Sequence, residues 1–192
     1  SRIQVSSYLM ADDCNDILKL RKFYMSRIDN DWKKYQCDLK SNQQKNILSE
    51  RMKSADSIWL AINWKYDAVS LLPSTIKSIQ NVSNAEILIF GSKNFGNINI
   101  QKLLNMPSEL RHITKNPLDK SHIKVNEYMA SILPDDMFID ISFLFCGKKS
   151  FCNIFIDGKL ISHDGGHLTK DGAKLLGDRL LVHPLILNLL DQ

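Results

Sequence analysis

SIWLAINWKYDAVSLLPSTIKSIQNVSNAEILIFG, residues 57–91, decides the fold. It opens on Ser57-Ile58-Trp59-Leu60-Ala61-Ile62, a compact apolar run that reads as a buried strand. From about Tyr66 to Gln80 the apolar period changes, and Val69, Leu72, Ile76 and Ile79 fall on one side of a helix. Pro73 lies inside that pattern, where it kinks the helix or marks a second start. Ile87-Leu88-Ile89-Phe90 is apolar again and stops at Gly91, a second strand. Strands alternating with helices at this spacing predict a parallel α/β sheet with helices on both faces.

Toward the C-terminus the same reading continues. Asn94 to Asn99 is rich in Asn and Gly, hence a loop. Asp119 is placed as the N-cap of a helix through Leu133, with Val125, Tyr128, Met129 and Ile132 inward and Pro134 closing it. Phe138-Ile139-Asp140-Ile141 reads as a strand or strand end, and Asn153 to Ile161 as a hairpin turning at Asp157-Gly158. Thr169 caps a helix through Leu181, and Pro184 begins a final turn. Toward the N-terminus, Ile3 to Leu9 reads as a short strand. Helix-like spacing then runs from about 15 to 53, interrupted by the polar Lys40–Lys45 stretch. The expectation is one three-layer α/β domain over residues 1–192.

Composition agrees with that class. At 192 residues, with 44% hydrophobic and 24% charged residues, the chain has ordinary globular usage. Disorder, collagen and coiled coil are excluded. The longest apolar stretch, Leu180 to Leu190, is interrupted by His183, Pro184 and Asn188 and is too short to span a bilayer. Residues 19 to 53 hold 10 Lys/Arg against 4 Asp/Glu, a local balance of +6, and the remaining residues sum to −2. This is read as a solvated helical face or an attraction to anionic glycans. No Arg-rich run, aromatic-basic repeat or zinc spacing points to nucleic acid. Cys146 and Cys152 are separated by five residues that include Gly147. A disulfide there is sterically reasonable and implies an oxidising compartment, with free cytosolic thiols as the alternative.

The stretch that carries chemistry is Ser162-His163-Asp164-Gly165-Gly166-His167-Leu168-Thr169. A Gly-bearing turn running into a capped helix sets a carboxylate against one imidazole nitrogen and leaves the other to take a proton, half of a nucleophilic triad. Spacing alone does not distinguish it. With 17 Asp and 5 His, chance places about 0.4 such pairs, and a second one, Asp119 with His122, exists. There the carboxylate is explained as a helix cap. The glycines and the strand-to-helix position favour Asp164 and His167. His163 is an exposed turn residue or lines a cleft beside His167; His112, His122 and His183 read as surface or helix residues, and Trp32, Trp59 and Trp64 as packing.

Asp164-Gly165-Gly166-His167-Leu168-Thr169, with Asp171-Gly172-Ala173 after it, resembles the final D-x-x-H block of SGNH hydrolases. In particular it resembles the SGNH domains attached to membrane acyltransferases that modify bacterial surface glycans. Their D-x-x-H-L-[ST]-x-x-G-A pattern is matched at every fixed position. Cys146 and Cys152 are similar to paired cysteines in that family. Ala61-Ile62-Asn63-Trp64 is similar to its G-x-N-D block, in which Asn63 alone matches. The resemblance implies a three-layer SGNH/flavodoxin-like fold, with His167 as general base then acid, Asp164 holding its tautomer and Asn63 as oxyanion donor. It requires no metal and no organic cofactor.

The family's nucleophile lies in G-D-S after the first strand, and no G-D-S occurs in this chain. Gly91-Ser92 is followed by Lys93, on a strand too late in the order. The expectation is that the first strand and its serine lie outside these residues. The domain then belongs to an extracytoplasmic, membrane-tethered O-acyltransferase in the periplasm or outside the cell. Its partners are an acyl donor, a carbohydrate acceptor and a membrane acyltransferase domain in the same parent chain. The alternatives are a free-standing SGNH esterase, a non-catalytic glycan- or partner-binding module, and a cytoplasmic location.

Overall fold

The computed structural model describes residues 47–147 and 150–191. The strand expected at Ile3–Leu9, most of the 15–53 pattern, the Lys40–Lys45 loop, Trp32, Cys14 and Cys37 lie outside the described residues. Residues 47–53 are helical. In chain order there follow β1 (Ser57–Ala61), α1 (Tyr66–Val69), α2 (Leu72–Gln80), β2 (Glu86–Phe90), α3 (Ile100–Leu104), α4 (Ser108–Arg111), β3 (Lys115–Pro117) and α5 (Lys120–Ile132). The C-terminal part adds β4 (Phe138–Ile139), α6 (Ile141–Cys146), β5 (Phe151–Asn153), β6 (Phe155–Ile156), β7 (Lys159–Leu160), α7 (Lys170–Leu181) and α8 (Pro184–Leu190). The described residues fall into two compact units, 47–58 with 70–86, and 59–69 with 87–191.

The first unit contains α2, whose Leu72, Thr75, Ile76 and Ile79 are buried, as the apolar spacing predicts. Pro73 resolves as a second start rather than a kink: it occupies the first turn of α2, where a missing N–H removes no helical hydrogen bond. Ser83 Oγ donates to the Met52 carbonyl at 2.5 Å within the same unit.

The sheet has the order β1-β2-β4, parallel and flanked by helices, in a mixed α/β fold. In register, Ile89 lies opposite Phe138 and Phe90 opposite Ile139. Ile87 to Phe90 are all buried, as a central strand with helices on its faces requires. The expectation for β1 is corrected. Trp59 is 50% exposed, and Ile58 and Leu60 are only half-buried. The physical reason is position: β1 ends the strand order, so among the described residues it has a strand neighbour on one side alone.

Two further boundaries move. The strand read over Phe138–Ile141 is only Phe138–Ile139, because the Asp140 carboxylate accepts from Phe143 N at 3.0 Å and caps α6. The hairpin is β6 against β7, turning at Asp157 (φ 50°) and Gly158 (φ 73°), the two left-handed residues that a type I′ turn demands. Asn153 belongs instead to β5, which pairs antiparallel with β3. A disulfide between Cys146 and Cys152 joins the end of α6 to β5. The core of this unit gathers Leu88, Phe90, Phe95, Ile139, Phe145, Ile154 and Ile161, with Phe95 packed edge-on against Phe145 at 5.3 Å between centroids.

Asn126, Ser92 and Ser162 are the buried polar residues of this unit among the described residues. Asn126 on α5 is 3% exposed; its Oδ1 accepts from Ser92 N at 2.9 Å, and its Nδ2 donates to Ser92 O at 2.8 Å and to Asp140 Oδ1 at 2.7 Å. The amide therefore clamps the residue after Gly91 to the residue after β4. Asn126→Ala leaves a buried N–H and a partly buried carboxylate short of partners, and is expected to cost about 2–3 kcal/mol. Chemical denaturation measures it; a loss below about 0.5 kcal/mol would count against the clamp.

Candidate active site

The C-terminal ends of the parallel strands are where open α/β sheets present their chemistry. The loop that faces this region is built locally. Thr169 N donates to Ile161 O at 3.0 Å, and Ser162 bridges Leu168, so residues 161–169 are cinched at their base. Thr169 Oγ1 accepts from Gly172 N at 3.0 Å and starts α7. Gly172 is required there, since a Cβ would stand 2.1 Å from the Ile161 carbonyl. Inside the loop Ser162 Oγ donates to His167 O at 2.6 Å and accepts from Gly165 N at 3.0 Å.

Asp164 organises the tip. Its Oδ1 accepts from Gly166 N at 2.9 Å and His167 N at 2.7 Å, and its Oδ2 lies 2.6 Å from His167 Nδ1. The His167 backbone N–H and imidazole, with help from the Gly166 N–H, hold this carboxyl well below the usual carboxylate range. An ionised carboxylate can only accept, so Nδ1 carries the hydrogen and the lone pair of the imidazole is left on Nε2. The His167 side chain is 81% exposed, open to a reacting group. This arrangement can take a proton at Nε2 and stabilise the cation that results.

The loop after β2 supports it. Phe95 N donates to Gly165 O at 2.8 Å, and Lys93 Nζ donates to Gly166 O. Burial pushes the Lys93 ammonium below its ordinary range, against the pull of Asp164. Ser92, the serine of Gly91-Ser92-Lys93, is 3% exposed, and its Oγ accepts from Trp64 N at 2.9 Å. It is a buried hydroxyl held by the Trp64 main chain. Trp64 packs as expected: it is 2% exposed and its Nε1 donates to Phe90 O at 2.8 Å.

Asn63 is exposed just beyond the end of β1, and its Oδ1 lies 3.1 Å from His122 Nε2. The structure thus brings Asp164 and His167 together and bonds Asn63 to His122. His122 lies on α5, and its side chain is only 13% exposed. The spacing that equates Asp119–His122 with Asp164–His167 conceals the difference, since only the first imidazole meets an amide 59 residues away. Lys93 carried no signal in the sequence beyond its place after a strand. His163 stands beside His167, the rings 18° from parallel with centroids 6.1 Å apart. His112 ends α4, and His183 caps α8 through Leu185 N, burial lowering its pKa.

His163, Asp164 and His167 each offer one ligand atom within 4.8 Å of the others, a set that suits a transition metal. Among the described residues no fourth protein ligand joins them, and Asp164 Oδ2 is already engaged by His167 Nδ1. No helix among the described residues is long and apolar enough to cross a membrane.

No curated protein and no solved structure matches the chain. The family model described as "SGNH domain (fused to AT3 domains)" matches residues 18–181, a span that takes in Asn63, Asp164 and His167. With most of its length covered, the chain belongs to the SGNH domain family that is fused to AT3 domains, a hydrolase-like domain associated with acyltransferases.

Proposed function

We propose that this domain supplies the base half of an O-acyl transferase acting on cell-surface polysaccharide outside the cytoplasm. The observation that carries the reading is the 2.6 Å contact between Asp164 Oδ2 and His167 Nδ1 beneath an exposed imidazole. A serine contributed from elsewhere in the parent protein attacks the carbonyl carbon of the acyl donor, giving its proton to His167 Nε2. The Asn63 amide donates to the oxyanion that forms. The imidazolium then protonates the leaving group, and a sugar hydroxyl, deprotonated by the same nitrogen, takes the acyl group in the second half-reaction. Asp164 keeps the imidazole in one tautomer throughout. An acetyl group is the donor we favour, with a membrane acyltransferase domain in the same parent chain delivering it. The Cys146–Cys152 disulfide supports a periplasmic or extracellular location.

Labelling of the intact parent by a serine-directed fluorophosphonate tests the reading. Covalent labelling is expected, with the adduct on a serine other than Ser92 and the rate strongly reduced in His167→Ala. No labelling of a folded parent would leave a binding module. Labelled protein that hydrolyses the ester at the same rate with and without glycan acceptor would make it an esterase.

A further inference from the structure

His163 has no part in the chemistry proposed above, yet it stands within reach of the groups that do. Its Nε2 lies 3.7 Å from Asp164 Oδ2, longer than a hydrogen bond, and the same oxygen is 2.6 Å from His167 Nδ1. One carboxylate oxygen is therefore flanked by two imidazoles, and one ligand atom of each residue falls within 4.8 Å of the other two.

Two histidine nitrogens and a carboxylate oxygen are donors that zinc accepts, whereas magnesium and calcium are held by oxygen. Around a tetrahedral zinc the ligand atoms stand about 3.3 Å apart, so the 2.6 Å pair has to open and the 3.7 Å pair to close, each by roughly half an ångström. The groups that must move are free to do so. The two imidazole side chains are 54% and 81% exposed, so turning them toward a shared ion meets solvent rather than core. The carboxylate is fixed through its other oxygen, Oδ1, by the Gly166 and His167 N–H groups. Those same bonds keep it ionised, the state in which a carboxylate binds metal.

We propose that His163, Asp164 and His167 form a reversible inhibitory site for a divalent ion of the zinc type, with water completing the coordination. The ion is no cofactor here, since the chemistry above runs without it. Binding at His167 Nδ1 displaces the hydrogen from that nitrogen to Nε2, with no net change in the protons of the ring. Nε2 then donates instead of accepting, and the position that takes the serine proton is blocked. The inhibition rests on the role given above to His167; the binding does not.

Zinc chloride titrated into the intact parent, followed by calorimetry and by acyl transfer over the same range, tests both parts. Transfer is expected to fall as zinc is added and to recover on adding EDTA, with magnesium at equal concentration having no effect. His163→Gln is expected to transfer as wild type does without zinc. It should raise the zinc concentration for half-inhibition by at least about 10-fold, and weaken the calorimetric affinity to match. His167→Ala is expected to weaken the same binding event. Unchanged zinc affinity in His163→Gln overturns the site, as does inhibition that survives this substitution or that EDTA fails to reverse. Binding that depends on His163 but leaves wild-type transfer untouched overturns the inhibitory role. Because calorimetry reads the ion apart from turnover, the two readings fall separately: transfer retained in His167→Ala removes the proposed chemistry, and the titration still decides the site.

Discussion

His167→Ala in the intact parent is expected to lower acyl turnover by about four to six orders of magnitude, the cost of removing the base from a serine–histidine–carboxylate system. Without the imidazole, the serine must lose its proton to water and the leaving group must depart without an acid. The fold should not notice. The side chain is 81% exposed, and its contact with Asp164 is one of several that hold the loop. Steady-state transfer kinetics and a thermal melt, run together, check both halves. Asp164→Asn is the companion: an amide in place of the carboxylate can donate to Nδ1, which moves the hydrogen to Nε2 and blocks it as a base. A loss of about 10⁴ is expected there. Turnover within tenfold of wild type in His167→Ala would remove the histidine from the mechanism.

The second large effect is on stability. Gly165 has φ +89°, and an added Cβ would lie 1.9 Å from the Gly96 carbonyl oxygen and 3.3 Å from Asn94 Oδ1. Two penalties therefore combine, a left-handed backbone that side chains resist and a collision with main chain, which has no rotamer to move. Gly165→Ala is expected to cost about 3 kcal/mol, which for a chain of this length is a drop of about 10 °C in Tm. Gly166→Ala is the internal comparison, for its Cβ meets only Asp164 Oδ1 at 3.8 Å. It should stay within about 0.5–1 kcal/mol of wild type. Similar melts for the two variants would mean that the loops after β2 and before α7 are not locked together at Gly165.

Local chemistry was readable in advance wherever a short segment carries its own instructions. The β2 strand, the cap at Asp119, the Asp157-Gly158 turn and the Thr169 cap are each specified within a few residues. So is the Asp164–His167 contact, because its bonds close within an eight-residue loop. What escaped the reading depends on residues that meet only after folding. Lys115–Pro117 has no strand-like pattern and is a strand because Phe151–Asn153 lies beside it. Asp140 reads as part of an apolar run until its carboxylate is seen capping the next turn. The apolar content of β1 suggested a buried strand, whereas side-chain burial also depends on what packs over each face, which the run itself does not encode. His122 shows the same limit: its spacing from Asp119 was visible, and the amide it reaches was not.

The cinched loop between Ile161 and Thr169 has a consequence for the timing of the chemistry. Its internal bonds involve no residue of a nucleophile and no ligand, so the imidazole is already oriented and already in one tautomer before an acyl donor arrives. The conformational entropy of ordering the base is then settled during folding, once, instead of being charged against every encounter. In the mechanism proposed above, a serine presented by a separate segment would find a preorganised acceptor for its proton.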